Sequence, residues 1–147
     1  MSRRYAGDGF CTGGTNKTAL TITGSASIRP ALYDLVVGSS ATPADQAALF
    51  VVQRSTADGT DTAVTPRPLD PHDQAAIATM GRNNSAEPTY TANVILLNIA
   101  LNQRATFRWV AAPGSEIFVD KAANAGIGLK TASGPGAVFD ATMMFVE

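Results

Sequence analysis

Asp70, His72 and Asp73 fall within a four-residue span and are types that a metal ion uses. Imidazole nitrogen and carboxylate oxygen would suit zinc or a related transition metal. His72 is the single histidine, however, and it sits in the proline-rich stretch TPRPLDPHD without a further ligand beside it. A solvated turn with helix-capping aspartates is the simpler reading. Asp58, Thr60 and Asp61 offer oxygens to calcium, but their spacing lacks the acidic set of an EF-hand loop. A hairpin turn at Asp58-Gly59 is preferred. Cys11 with His72 would supply a thiol nucleophile and a base. No third orienting group accompanies them, and Cys11 lies in a glycine-rich segment. No catalytic, cofactor or metal residue is assigned, and the chain reads as non-enzymatic.

Other motifs fail on context. Gly7-Asp8-Gly9 and Gly126-Ile127-Gly128 do not link a strand to a helix, which a phosphate-cradling loop requires. Asn16-Lys17-Thr18 and Asn83-Asn84-Ser85 match the glycosylation pattern, but no secretion signal gives that match a meaning. Arg104, Arg108 and Trp109 have the types for single-stranded nucleic acid, which wants charge and a stacking ring. Strand alternation points Trp109 away from both arginines. A core tryptophan with an outward arginine pair is the preferred reading.

Composition narrows the classes. The chain has 147 residues, one domain's worth, and 45% are hydrophobic, which argues against disorder. Only 16% are charged, against about 25% in a typical domain. A surface so short of charge is often one that another molecule covers. The net charge is −1 and the isoelectric point is near 5.7, so the totals show no basic field for nucleic acid. One cysteine excludes an intrachain disulfide. No apolar run approaches the ~18 residues of a spanning helix, so no membrane partner is expected.

The elements that must position these residues are strands. Residues 1–17 are polar and glycine-rich and read as an extended N-terminal arm, leaving 18–147 as the folded domain. Period-two alternation predicts strands near 18–23, 27–37, 48–55 and 62–65. Thr42 and Pro43 suit the start of a single helical turn. Asp70-Pro71 suits the start of a short helix ending near Gly81. The segment from Tyr90 to Ile117 reads as two long strands joined at Asn102-Gln103. In the second, Ala105, Phe107, Trp109 and Ala111 share one face, and Arg104, Thr106 and Arg108 the other. In the first, Val94 to Leu97 is apolar on both faces. Strands near 116–120, 125–131 and 137–146 follow, the last with Phe139, Ala141, Met143 and Phe145 facing inward. Eight or nine strands without βαβ alternation predict an all-β, antiparallel two-sheet sandwich, with a jelly roll the expected topology.

The block AEPTYTA…ILLNIALNQRATFRWVAAPGSEI…GIGL resembles a group of small virion-associated proteins of tailed bacteriophages. The similarity runs from about Leu32 to the C-terminus and includes TPRPLDP; NQRATFRWVAAPGSE and AGIGL are its most specific pieces. The resemblance implies a capsid cement or decoration protein, made in the host cytoplasm and located on the virion, with the major capsid protein as partner. It implies no enzymatic activity. In that setting Arg3, Arg4 and Tyr5 of the arm are expected to contact an acidic shell. Ile95 and Leu97 are expected to form a self-association face, and Arg104 and Arg108 to meet acidic groups on a neighbouring subunit. Three-fold shell sites make a homotrimer the expected assembly. Direct nucleic-acid contact is not expected. The alternative is a head-fibre, tail or baseplate component with carbohydrate- or receptor-binding loops, because fold alone does not separate the two.

Overall fold

The computed structural model describes residues 2–134 and 136–147. Twelve strands follow in order: β1 (Arg4–Cys11), β2 (Thr18–Thr23), β3 (Ala31–Gly38), β4 (Ala47–Ala57), β5 (Thr60–Val64), β6 (Arg67–Pro68), β7 (Thr79–Ala86), β8 (Thr89–Asn102), β9 (Phe107–Val110), β10 (Ile117–Phe118), β11 (Gly126–Ser133) and β12 (Phe139–Val146). They form two antiparallel sheets. The front sheet runs β10-β3-β12-β1-β6, with β9 sharing the edge of β3 that β10 occupies. The back sheet runs β5-β7-β2-β11-β4-β8.

The core lies between the sheets, and alternation explains its composition. β12 turns Phe139, Ala141, Met143 and Phe145 inward, as the sequence predicts. Leu35 and Val37 of β3 lie opposite Trp109 and Phe107 of β9, so both rings face the core and Arg108 faces out. From the back sheet come Leu20, Ile22, Phe50, Val52, Ile127 and Leu129, all fully buried. Phe50 and Phe139 meet across the interior at 4.8 Å between ring centroids, in a tilted pair of the kind the ring quadrupoles favour.

Three expectations are corrected. The segment read as an arm contains a core strand: β1 lies within the front sheet, paired to β12 from Arg4↔Val146 to Cys11↔Phe139. Its inward positions are Tyr5, Gly7, Gly9 and Cys11. The glycines resemble loop composition, but they are there because the sheets touch. A Cβ on Gly9 would stand 2.5 Å from the Ala19 carbonyl oxygen, and one on Gly7 would stand 2.3 Å from Met80 Sδ.

No helix occurs among the described residues, so the stretch near 70–81 is turns followed by β7. Exposed Asp70, Pro71 and His72 have too little apolar surface to dock a helix.

The two long strands do not pair with each other. β8 joins β4 in the back sheet and β9 joins β3 in the front sheet. The turn between them therefore crosses between layers, with Gln103 buried and its amide donating to the Gln46 carbonyl at 2.9 Å.

Candidate functional site

The outer faces of the two sheets differ. On the back sheet the outward side chains Thr21, Thr23, Val51, Gln53 and Ser55 are nevertheless buried. The start of β8 folds over them: Gln53 Nε2 donates to the Thr91 carbonyl at 2.7 Å. Tyr90 lies across Gly128, where a Cβ would come within 2.2 Å of its hydroxyl oxygen. That hydroxyl is 2.8 Å from Thr18 Oγ1, and Lys130 Nζ stands 4.5 Å from the ring centroid. Burial pushes the Tyr90 hydroxyl well above its usual pKa, with the nearby Glu87 and Asp58 carboxylates adding to the rise. Asp61 rests over Gly81 at the same face. Its carboxyl is also raised, by burial first and by Asp58 second.

The front sheet keeps its outer face open. Val36, Thr142, Met144 and Val146 there are half-buried, and Val110 is 55% exposed. Asp34 is buried in the middle of this face. Arg108 of β9 lies over it as a fork, Nε donating to Oδ1 at 3.0 Å and Nη2 donating to Oδ2 at 2.5 Å. The carboxylate satisfies two guanidinium donors, raises the Arg108 pKa and leaves the remaining donors facing solvent.

Two hollows flank this pair. One, about 440 Å³, is lined by Arg4, Tyr33, Pro113, Glu116 and Val146, with the Arg4 guanidinium 6.0 Å from the Tyr33 ring centroid. The other, about 350 Å³, is lined by Asp8, Phe10, Ser40, Thr106, Asp140 and Thr142. There the Ser40 amide donates to Asp140 Oδ2 at 3.1 Å, and Arg82 donates to Asp8 Oδ2 at 3.2 Å. No family model matches the chain, and no curated protein or solved structure matches it either.

Of the seven interface residues expected from the sequence, Arg4 and Arg108 come together on this face. The others scatter. Tyr5 is fully buried and stacks on Phe145 at 5.4 Å, so it contacts no partner from outside. Arg3 pairs with Asp73 at 3.9 Å. Arg104 pairs with Asp45 at 3.6 Å and donates from Nε to the Pro43 carbonyl at 3.3 Å.

Ile95 and Leu97 do not share one face. The register shifts between Val52↔Leu97 and Gln53↔Ile95. This leaves Leu97 against the core and Ile95 48% exposed on the outer side. A single inserted residue flips every side chain beyond it. Asp34 and Tyr33 were the residues that sequence reasoning missed; an aspartate inside an apolar strand was the available signal for a paired charge.

The remaining chemical candidates are dispersed. His72 is exposed beside Asp70, and the neighbouring Asp73 belongs to Arg3 at the start of β1. Cys11 ends that strand, about 25 Å away at ~3.3 Å per residue, and is buried. Asp58 accepts from Thr23 Oγ1 at 3.0 Å and from the Gly59 amide at 3.2 Å.

Burial pushes the Cys11 thiol up to about 11, so it is protonated and inert at neutral pH. In native protein it should resist an aromatic disulfide reagent and react only after denaturation; immediate native labelling would contradict its burial. The same shift has a pH consequence. The folded thiol keeps its proton while the unfolded one, at 9.0, loses it first. Stability is therefore unaffected below that value and should fall as pH rises from 9.0 toward about 11. The raised Tyr5, Tyr33 and Tyr90 hydroxyls act in the same direction. Urea midpoints measured across that window check the sign.

Proposed function

We propose that this chain is a non-enzymatic structural protein of a tailed-phage virion, a cement or decoration protein that bridges major capsid protein subunits. The open outer face of the front sheet carries the reading. It offers half-buried apolar side chains framed by Arg4 and the Arg108–Asp34 pair, a mixture suited to a protein partner. The segment NQRATFRWVAAPGSE, which carries the resemblance to virion-associated proteins, contributes β9 and the loop through Pro113 to this face. A ligand that binds only the assembled shell stabilises it by mass action. The site of action is then the capsid surface, after synthesis in the host cytoplasm, and copies of the chain associate with one another.

A jelly-roll topology is part of this proposal. With β5–β7 set aside as an insertion and β10 as a short extra strand, eight strands remain. The front sheet then orders them first, eighth, third and sixth, as β1-β12-β3-β9. The back sheet orders them second, seventh, fourth and fifth, as β2-β11-β4-β8. Two interleaved Greek keys produce this order.

The test is occupancy. Arg4→Glu with Val110→Asp changes two exposed side chains and should leave thermal unfolding unaltered. Imaging of expanded capsids should then show decoration sites largely empty. Normal occupancy by the double variant overturns the assignment of this face.

The 350 Å³ hollow favours a second reading, a head-fibre, tail or baseplate component that binds carbohydrate. Phe10 offers a ring for a sugar face, and Asp8, Asp140 and nearby hydroxyls offer polar partners. A few copies at the tail, with oligosaccharide binding lost in Phe10→Ala, would select it; many copies over the head that bind no oligosaccharide would exclude it.

A further inference from the structure

The edges of the sheets are protected unequally. An exposed edge strand invites pairing, and proteins blunt it with short length, proline or charge. β6 and β10 are two residues each, and β6 contains Pro68. β9 is four residues long and carries Arg108, and β5 is five residues long and carries Asp61. β8 has none of these devices. It spans 14 residues without a charged residue or proline, and its ladder partner among the described residues is β4 on one side alone.

The C-terminal half of β8 holds a regular register with β4, from Val52↔Leu97 to Ala47↔Asn102. Leu97, Ile99 and Leu101 therefore point toward the core, and Asn98, Ala100 and Asn102 point out. Leu97 and Leu101 are half-buried, packed on the core from the rim of the sheet. The edge thus presents an apolar inner row and an uncharged outer row.

We propose that β8 pairs antiparallel with β8 of a second copy about a two-fold axis at Ile99, joining two back sheets into one continuous sheet. An antiparallel two-fold reverses the strand onto itself. It sets Leu97 against Leu101 and Ile99 against Ile99 on the inner side, and Asn98 against Ala100 on the outer side. Apolar meets apolar, small polar meets small, and no like charges face each other. Each copy covers the half-buried leucines at the other's rim and satisfies its free backbone groups. A second copy meets both requirements by construction, which is the reason to name it as the occupant. This two-fold pairing replaces the three-fold self-association expected from shell symmetry, and it does not depend on the virion reading.

Sedimentation velocity of the full chain over a dilution series tests it, beside Asn98→Lys and Ala100→Lys. Both side chains are exposed, so circular dichroism and thermal unfolding should stay close to wild type. The wild type should reach dimer mass, and each lysine variant should dissociate at least about tenfold more readily, since the two copies' lysines then lie diagonally across the new ladder in the outer row, within reach of each other. Amide hydrogen exchange at 97–101 should slow at high concentration in wild type alone. A wild type that stays monomeric, a trimer, or a dimer that either lysine leaves intact would overturn the proposal.

Discussion

A chain lacking residues 2–12 should fail to fold. β1 lies between β12 and β6 and supplies eight register pairs to β12. Its Tyr5 is fully buried, stacked on Phe145, and its hydroxyl donates to the Gln74 carbonyl at 3.0 Å. Tyr5→Ala alone should cost about 3–5 kcal/mol, the usual range for an aromatic truncated in a core. A domain of this size has roughly 5–15 kcal/mol in total. Removing the whole strand also exposes the inner edge of β12 and opens the core beside Phe139 and Phe145. Circular dichroism and urea unfolding should show no cooperative transition in the truncated chain. A truncated protein with a near-normal midpoint would mean that β1 is dispensable, as an arm would be.

Gly9→Ala should destabilise by about 3 kcal/mol, and Gly7→Ala by clearly less, nearer 1 kcal/mol, although both add one methyl to the same inner row. The difference lies in what each methyl meets. At Gly9 the obstacle is the Ala19 carbonyl oxygen, held in place by the β2 ladder, with Leu20 Cδ1 at 2.8 Å. Relief requires the sheets to move apart. At Gly7 the closest atoms are Sδ and Cε of Met80, the far end of a flexible side chain that can swing aside. Neither glycine has a positive φ, so conformational freedom is not the reason for them. Urea midpoints of the two variants, measured side by side, decide the matter. Equal losses would show that the sheet separation at Gly9 is softer than the contact distances imply.

The same glycines explain why β1 was unreadable as a strand. Gly7 and Gly9 lower strand propensity, and the polar segment after Cys11 extends the loop-like composition. Propensity is a local property, whereas the demand for glycine comes from Ala19, Leu20 and Met80 on the other sheet. β7 was hidden for a related reason. Its sequence TMGRNNSA is poor in β-formers, and its Gly81 lies under the Asp61 carboxylate. The candidate site was half legible. Alternation placed Arg108 outward and Trp109 inward, but it could not show that Asp34 lies two residues along β3, under the guanidinium.

Alternation along each strand was the sequence's own contribution. Successive side chains on an extended backbone must point to opposite faces, whatever the strand pairs with. That rule settled the inward rows of β12 and β9 and the all-β, two-layer class. Pairing was decided by the tertiary structure alone. β1 finds β12 from the far end of the chain, and β8 and β9, neighbours in sequence, go to different sheets. Only the folded chain also decides which sheet face stays open. Tyr90 can lie on Gly128 to close the back sheet once three strands have set them side by side, and among the described residues the front sheet receives no such cover. Partner choice depends on the free energy of the whole packed core, which no local window of residues contains.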